Sequence, residues 1–149
     1  MDNGLMGLLG IARKAGKAEA GEESAAAAAK GHKARVLLLA SDASDRTRRH
    51  AEGLSQLGNC PLLPVPLTKE DLGGALGRGS CAILALTDIG LASAAVKKLE
   101  TVDPALREKL DHKAEKTLRR RRETRQREKE AQLARRKPWA APPQEKKPS

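Results

Sequence analysis

The chain has 149 residues and a formal net charge of +10, and 39% of its residues are hydrophobic but only 1% aromatic. This length suits one domain, or a smaller domain with a tail, whose core must be built from Leu, Ile, Val and Ala. The sequence has no apolar run of the roughly 18–20 residues that a membrane span needs, and its start lacks a signal-like basic region, so we expect no membrane association.

The positive charge is concentrated in the last third of the chain. Residues 1–103 carry 13 Lys and Arg against 12 Asp and Glu, whereas residues 104–149 carry 16 against 7. This asymmetry predicts a near-neutral domain over residues 1–103 and a basic tail over residues 104–149. Cys60 and Cys81 lack a CxxC spacing, which favours reduced thiols and a cytoplasmic location.

The first part of the chain predicts two helices joined by a short link. Leucines at helical spacing indicate a helix over residues 3–15 that ends at Gly16. Residues 17–20 form the link, which is short and extended. A second helix is predicted over residues 22–30, with two glutamates in its first turn, where they meet the positive end of the helix dipole.

Two buried strands and three more helices are predicted next. Residues 35–41 and 81–87 are apolar runs of strand length, and the proline-rich residues 60–67 allow only a short edge strand or an extended segment. One helix is expected over residues 43–57, capped by Asp42 or Ser44. Another is expected to start after Thr68, and a third over residues 90–99, capped by Asp88. Alternating helices and buried strands predict a small three-layer α/β/α sandwich with about four strands.

The tail has a different composition. Leu106, Leu110 and Leu118 could support a short helix, but few apolar residues follow, and the proline-rich end beyond Lys137 favours disorder. We expect a charged arm, partly helical or disordered, that packs on nothing when alone.

Catalytic motifs are absent from the sequence. The glycines near Gly77 do not follow a strand as a dinucleotide loop would, and the three histidines do not have metal-ligand spacing. Asp42, Asp45 and Asp88 stand at strand ends, where they either act in catalysis or, as we favour, cap the helices that follow. We therefore expect no cofactor, no metal and no enzymatic activity. A nucleic-acid enzyme using Asp42 and Asp88 is kept as a third hypothesis.

Several short motifs occur together in a characteristic order. "ARKAG", "ASDAS", "LG.ALG" and "TD.G" over about residues 4–100 resemble the bacterial YlxQ-like branch of the ribosomal-protein superfamily that includes the L-seven-Ae and L-thirty-e proteins. The resemblance implies an α/β/α sandwich around a mixed four-stranded sheet. It also implies RNA binding, often by a ribosomal or ribosome-associated protein.

The resemblance implies an RNA surface with three parts: the start of the helix near Gly21, the loop after the first long strand, and the loop at residues 77–80. A helix start favours phosphate through its backbone N–H groups and its dipole. Basic residues that could flank this surface add to it. The candidate RNA-binding residues of the domain are Lys14, Lys17, Gly21, Glu22, Glu23, Ser24, Lys33, Ser41, Asp42, Arg46, Arg78 and Gly79.

The helix start departs from the kink-turn readers of this superfamily. Those proteins carry Asn, Glu and Lys where this chain has Glu23, Ser24 and Ala27. Kink-turn specificity is therefore not expected.

The tail contains basic clusters of the kind that neutralise phosphates. We expect RNA contact from Arg119, Arg120, Arg121 and Arg122. The resulting hypothesis is a monomeric, non-catalytic protein that binds structured RNA, with ribosomal RNA or the ribosome as partner. The alternative is a protein–protein adaptor that uses the small-residue face of Ala25–Ala29, which would have to be exposed.

Overall fold

A computed structural model of the protein describes residues 4–99 and 104–136. The chain divides into two compact units, Met1–Ala114 and Glu115–Ser149, which we treat separately. The elements in chain order are α1 (Leu5–Lys14), β1 (Ala18–Ala20), α2 (Glu22–Lys30), β2 (Val36–Leu39), α3 (Asp45–Gly58), β3 (Leu62–Pro64), α4 (Lys69–Ala75), β4 (Ile83–Leu86), α5 (Ile89–Lys97) and α6 (Pro104–Arg136).

The four strands form one mixed sheet in the order β1-β4-β2-β3. Strand β4 is antiparallel to both β1 and β2, whereas β2 and β3 are parallel. Strands β1, β2 and β3 therefore run in one direction and β4 in the other. The sequence alone did not determine this order.

Helices cover both faces of the sheet. Val36, Leu38, Leu84 and Leu86 belong to one buried cluster, which they share with α1, α4, α5 and the first turns of α6. The alternate strand residues Leu37, Leu39, Ile83 and Ala85 belong to a second cluster, which includes residues of α2 and α3. This alternation follows from the two-residue period of a strand, and it confirms the predicted α/β/α sandwich around a mixed four-stranded sheet.

The alanine run of α2 packs inward. Ala25, Ala28 and Ala29 are buried, Ala26 is half-buried and Ala27 is exposed. A Cβ on Gly58 of α3 would lie only 2.9 Å from the carbonyl oxygen of Ala29. Small side chains on both helices thus let α2 and α3 approach each other closely.

Three of the predicted helix caps form, and Ser44 is the one of the two candidates that caps α3. Thr68 caps α4 in a reciprocal capping box with Asp71, and Asp88 caps α5 by accepting from the Leu91 N–H. Ser44 caps α3, whose first turn contains Asp45. The prediction that Asp42 and Asp45 cap the helix that follows them is therefore wrong.

The first turns of α6 belong to the folded unit. Leu110 and Ala114 are 4% exposed, and Asp111 accepts a hydrogen bond from Ser93 and pairs with Lys97 Nζ at 2.9 Å. The lysine holds the pKa of the Asp111 carboxyl below its usual value. Residues 104–114 thus pack against the core, contrary to the expectation that the arm packs on nothing.

The second unit, as far as it is described, consists of the helical residues 115–136. The expected disorder beyond Lys137 lies outside the described residues. Among the helices that the structure describes, none combines the length and the apolar character required to cross a bilayer.

Candidate functional site

Several helix starts and loops lie at one end of the sheet. Because β1, β2 and β3 run in the same direction, the helices that follow them, α2, α3 and α4, all begin at that end. Strand β4 runs in the opposite direction, so the loop before it, residues 77–80, lies there as well. We call this end of the domain the helix-start face. The three segments that the family resemblance implies for RNA are thus brought together.

Gly21 and Arg78 form the central contact of the helix-start face. Gly21 has φ 94 and ψ 163, a conformation that residues with a side chain rarely adopt, and its N–H donates to the Ile83 carbonyl at 2.9 Å. Arg78 Nη1 donates to the Ala20 carbonyl at 2.9 Å, and a Cβ on Gly21 would lie 3.1 Å from that nitrogen. The bare glycine therefore makes room for a guanidinium held at the start of α2.

A second arginine, Arg13, approaches the same loop. Gly77 has φ 72, and a Cβ built on it would lie 2.7 Å from Cζ of Arg13 in the last turn of α1. Glycine at this position permits both the left-handed turn and the close approach of the guanidinium. The loop at residues 77–80 is consequently flanked by Arg13 and carries Arg78, both of them exposed.

The loop after β2 is joined to the start of α4. The Ser41 N–H donates to the Leu67 carbonyl at 2.8 Å, and the Asp42 carboxylate accepts from the Lys69 N–H at 2.8 Å. Asp42 therefore accepts from an N–H at the start of α4 that has no partner within the helix, although Asp42 precedes α3 in the sequence. Both Ser41 and Asp42 are exposed and remain accessible at the helix-start face.

The acidic start of α2 has a partner that the sequence did not reveal. Glu22 Oε1 lies 2.9 Å from Nδ1 of His50 on α3, with about half of each side chain exposed. The imidazole lies within hydrogen-bonding distance of the Glu22 carboxylate at this end. Glu23 is exposed and Ser24 half-buried. The pairing joins residues 28 positions apart in sequence, so only the packing of α2 beside α3 could indicate it.

Cys81 lies beneath the arginine loop as a buried thiol. Its Sγ donates to the Ile83 carbonyl at 3.1 Å. Burial raises the pKa of the Cys81 thiol, while the Gly21 N–H and the Arg78 charge act in the opposite direction with smaller effect. Since the net shift is upward, the thiol stays protonated at neutral pH and is a poor nucleophile.

The remaining candidate residues of the domain lie at different places. Lys14 is exposed in the last turn of α1, Arg46 is exposed in the first turn of α3, and Gly79 is exposed in the 77–80 loop. Lys17 and Lys33 instead lie toward the opposite end of the sheet, since the Lys17 carbonyl accepts from the Thr87 N–H and Lys33 follows the end of α2. The structure therefore brings their backbones near neither Gly21 nor the Ser41–Asp42 turn.

The tail candidates belong to the second unit. Arg119, Arg120, Arg121 and Arg122 are all exposed on the helix of residues 115–136. Among the described residues, no cluster of three or more His, Cys, Asp or Glu side chains is placed to bind a metal ion.

Comparisons with known proteins support the fold. No protein-family model matches the chain, and a search of the curated proteins finds no match. Among solved structures, a protein of unknown function from Bacillus halodurans C is similar, with a TM-score of 0.58, 23% identity, and coverage of 63% of this chain and 94% of that chain. The 15.5kD RNA binding protein of Giardia lamblia is similar with a TM-score of 0.54, 18% identity, and coverage of 64% and 84%. At such identities the similarity shows a shared fold.

Proposed function

We propose that this chain is a non-catalytic RNA-binding protein whose domain docks on structured RNA through the helix-start face. The observation that carries the proposal is the exposed Arg78 guanidinium held against Gly21 at the start of α2. A helix start and a fixed guanidinium are both suited to phosphate oxygens, because each presents N–H donors and positive charge. The shared fold of the Giardia RNA binding protein supports the same conclusion.

The proposed target is a structured ribosomal RNA, because the order of the short motifs in the sequence resembles that of the ribosomal-protein superfamily. A standard kink-turn is not the proposed target, since Glu23, Ser24 and Ala27 stand where kink-turn readers carry Asn, Glu and Lys. Glu23 is exposed at the start of α2, where it repels phosphate but can accept a hydrogen bond from a base edge. The proposal also places a monomeric protein in the cytoplasm, in keeping with two free cysteines.

The adaptor hypothesis loses its main support. It required an exposed stripe of alanines on α2, but Ala25, Ala28 and Ala29 are buried in the core. An RNA-cleaving role for Asp42 and Asp88 is not favoured either, since both carboxylates accept hydrogen bonds at helix starts. Incubating the protein with magnesium and labelled RNA tests this point, because intact RNA would rule out the enzyme.

Arg78→Gln is the variant that tests the helix-start face. We expect RNA affinity to fall about tenfold and the slope of log affinity against log salt to flatten by about 1, because one phosphate contact is lost. Lys30→Gln, at the exposed far end of α2, is the matched control and should bind like the wild type. Fluorescence anisotropy with total ribosomal RNA fragments measures both values, and thermal unfolding confirms that the variants are folded.

Equal losses in Arg78→Gln and Lys30→Gln would contradict a specific role for this face, since both variants remove one positive charge. Crosslinking followed by sequencing of the bound RNA identifies the target. Crosslinked peptides that map away from the starts of α2 and α3 and from residues 77–80 would contradict the proposed site.

A further inference from the structure

The cations of the second unit are unevenly distributed around its helix. At about 100° per residue, Arg121, Arg122, Arg125, Lys129 and Arg136 fall within one arc of roughly 100°, together with the neutral Leu118 and Gln132. This arc, which we call the basic stripe, contains no acidic residue; Glu115 and Glu128 lie just outside its two edges. All five cations are exposed.

The opposite face of the same helix carries mixed charge. Arg119, Arg120 and Arg127 alternate there with Glu123 and Glu130. Each of these arginines has a glutamate three or four positions away, the spacing at which helical side chains attract each other. Within the basic stripe, Arg122 and Lys129 have no acidic residue at that spacing.

We propose that the basic stripe binds the phosphate backbone of double-helical RNA, an inference that rests on the proposed RNA-binding function. The cations from Arg121 to Arg136 extend over about 22 Å along the helix axis, a straight row of charge. The helix over residues 115–136 contains no aromatic side chain, so it lacks the aromatic platforms on which single-strand binders stack successive bases. A duplex keeps its bases stacked inside and presents its phosphates outward, which matches a row of cations without aromatic side chains.

The basic stripe also narrows the set of tail arginines that are expected to contact RNA. Of the four arginines at 119–122, Arg121 and Arg122 lie in the stripe, whereas Arg119 and Arg120 lie on the mixed face. Contact therefore depends on the face of the helix and not on the local density of arginine in the sequence. Because the stripe meets phosphates, it adds affinity without base specificity.

Two triple variants of the full chain, with equal net charge, test this inference. The stripe variant is R122Q/R125Q/K129Q and the control variant is R119Q/R120Q/R127Q; glutamine is a good helix former, and circular dichroism checks that helix content is unchanged. The probes are an RNA hairpin with a long stem of mixed sequence and a single-stranded RNA of the same composition.

For the stem, we expect the stripe variant to bind at least about tenfold more weakly and to flatten the salt slope by about 2 to 3, while the control variant changes little. On the single strand the two variants should differ much less. Equal effects of the two triples on the stem would overturn the inference, because net charge alone would then explain binding. Unchanged binding of the stem by both variants would also overturn the inference. The same holds if the stripe variant loses as much affinity for the single strand as for the stem.

The outcomes also separate this inference from the proposed function. If the wild type binds neither these two probes nor the ribosomal RNA fragments, the proposed function itself fails. If the wild type binds RNA and Arg78→Gln weakens it but the stripe variant does not, the helix-start face stands and the basic stripe is rejected.

Discussion

Single residues decide how closely the parts of the domain approach one another. Gly21 leaves room for the Arg78 guanidinium, and Gly77 leaves room for that of Arg13. The family resemblance implied the helix start near Gly21 as part of an RNA surface, and the structure adds that the Arg78 side chain lies against this glycine. The Arg78–Ala20 hydrogen bond joins residues 58 positions apart, and such a contact depends on the sheet order.

Gly58 provides a residue-level test of the packing of α2 on α3. Gly58→Ala should lower the free energy of unfolding by about 1–3 kcal/mol, because its Cβ would lie 2.9 Å from the Ala29 backbone oxygen. Gly53 in the same helix has nothing within 4 Å of an added Cβ. Gly53→Ala should therefore stabilise the protein by up to about 1 kcal/mol through helix propensity.

Urea unfolding of the two alanine variants measures these differences. If both variants were equally stable, the close approach of the helices would be refuted, since the substitutions are chemically identical and differ only in their surroundings.

At the scale of elements, local sequence signals predicted the helices and strands well. They did not predict the contacts between segments that are distant in the chain. Helix α2 has the predicted bounds, because its glutamate start and glycine end act within a few residues. Strands β2 and β4 are shorter than their apolar runs, since ladder pairing ends before the buried stretch does. Asp42 accepts a hydrogen bond from the Lys69 N–H at the start of α4 and does not cap α3, which depends on where two distant segments meet.

The capping box of α4 tests an element-level stabilisation. Thr68→Ala removes the acceptor for the Asp71 N–H and should reduce the free energy of unfolding by about 1 kcal/mol. Thr68→Ser keeps the hydroxyl and should retain most of the stability. Thermal and urea unfolding report the loss, and an alanine variant as stable as the serine variant would show that the cap contributes nothing.

At the scale of the whole molecule, the boundary between domain and arm differs from the composition boundary. Charge and apolar content change near residue 103, but the first compact unit extends to Ala114. Leu110 and Ala114 are the only apolar residues of α6 that are almost fully buried within the described residues, and they are separated by one helical turn. A short apolar patch in a highly charged segment gave too weak a signal to predict docking.

Two truncations test this boundary. A chain of residues 1–114 should unfold with nearly the same free energy as the full chain, because it keeps Leu110 and Ala114 in the core. A chain of residues 1–103 should lose about 2–5 kcal/mol, comparable to deleting a buried leucine side chain. If the two truncated chains unfold at the same urea concentration, the first turns of α6 do not stabilise the domain.

The sequence by itself determined the element types, the layered fold class and the concentration of positive charge near the C-terminus. These features depend on periodicity, capping residues and composition, which act over a few neighbouring positions. Only the tertiary structure decided the sheet order, the convergence of Gly21, Asp42 and Arg78 at one end, and the separation of Lys17 and Lys33 from them. The physical reason is that strand direction and pairing depend on contacts between residues far apart in the chain, which no local pattern specifies.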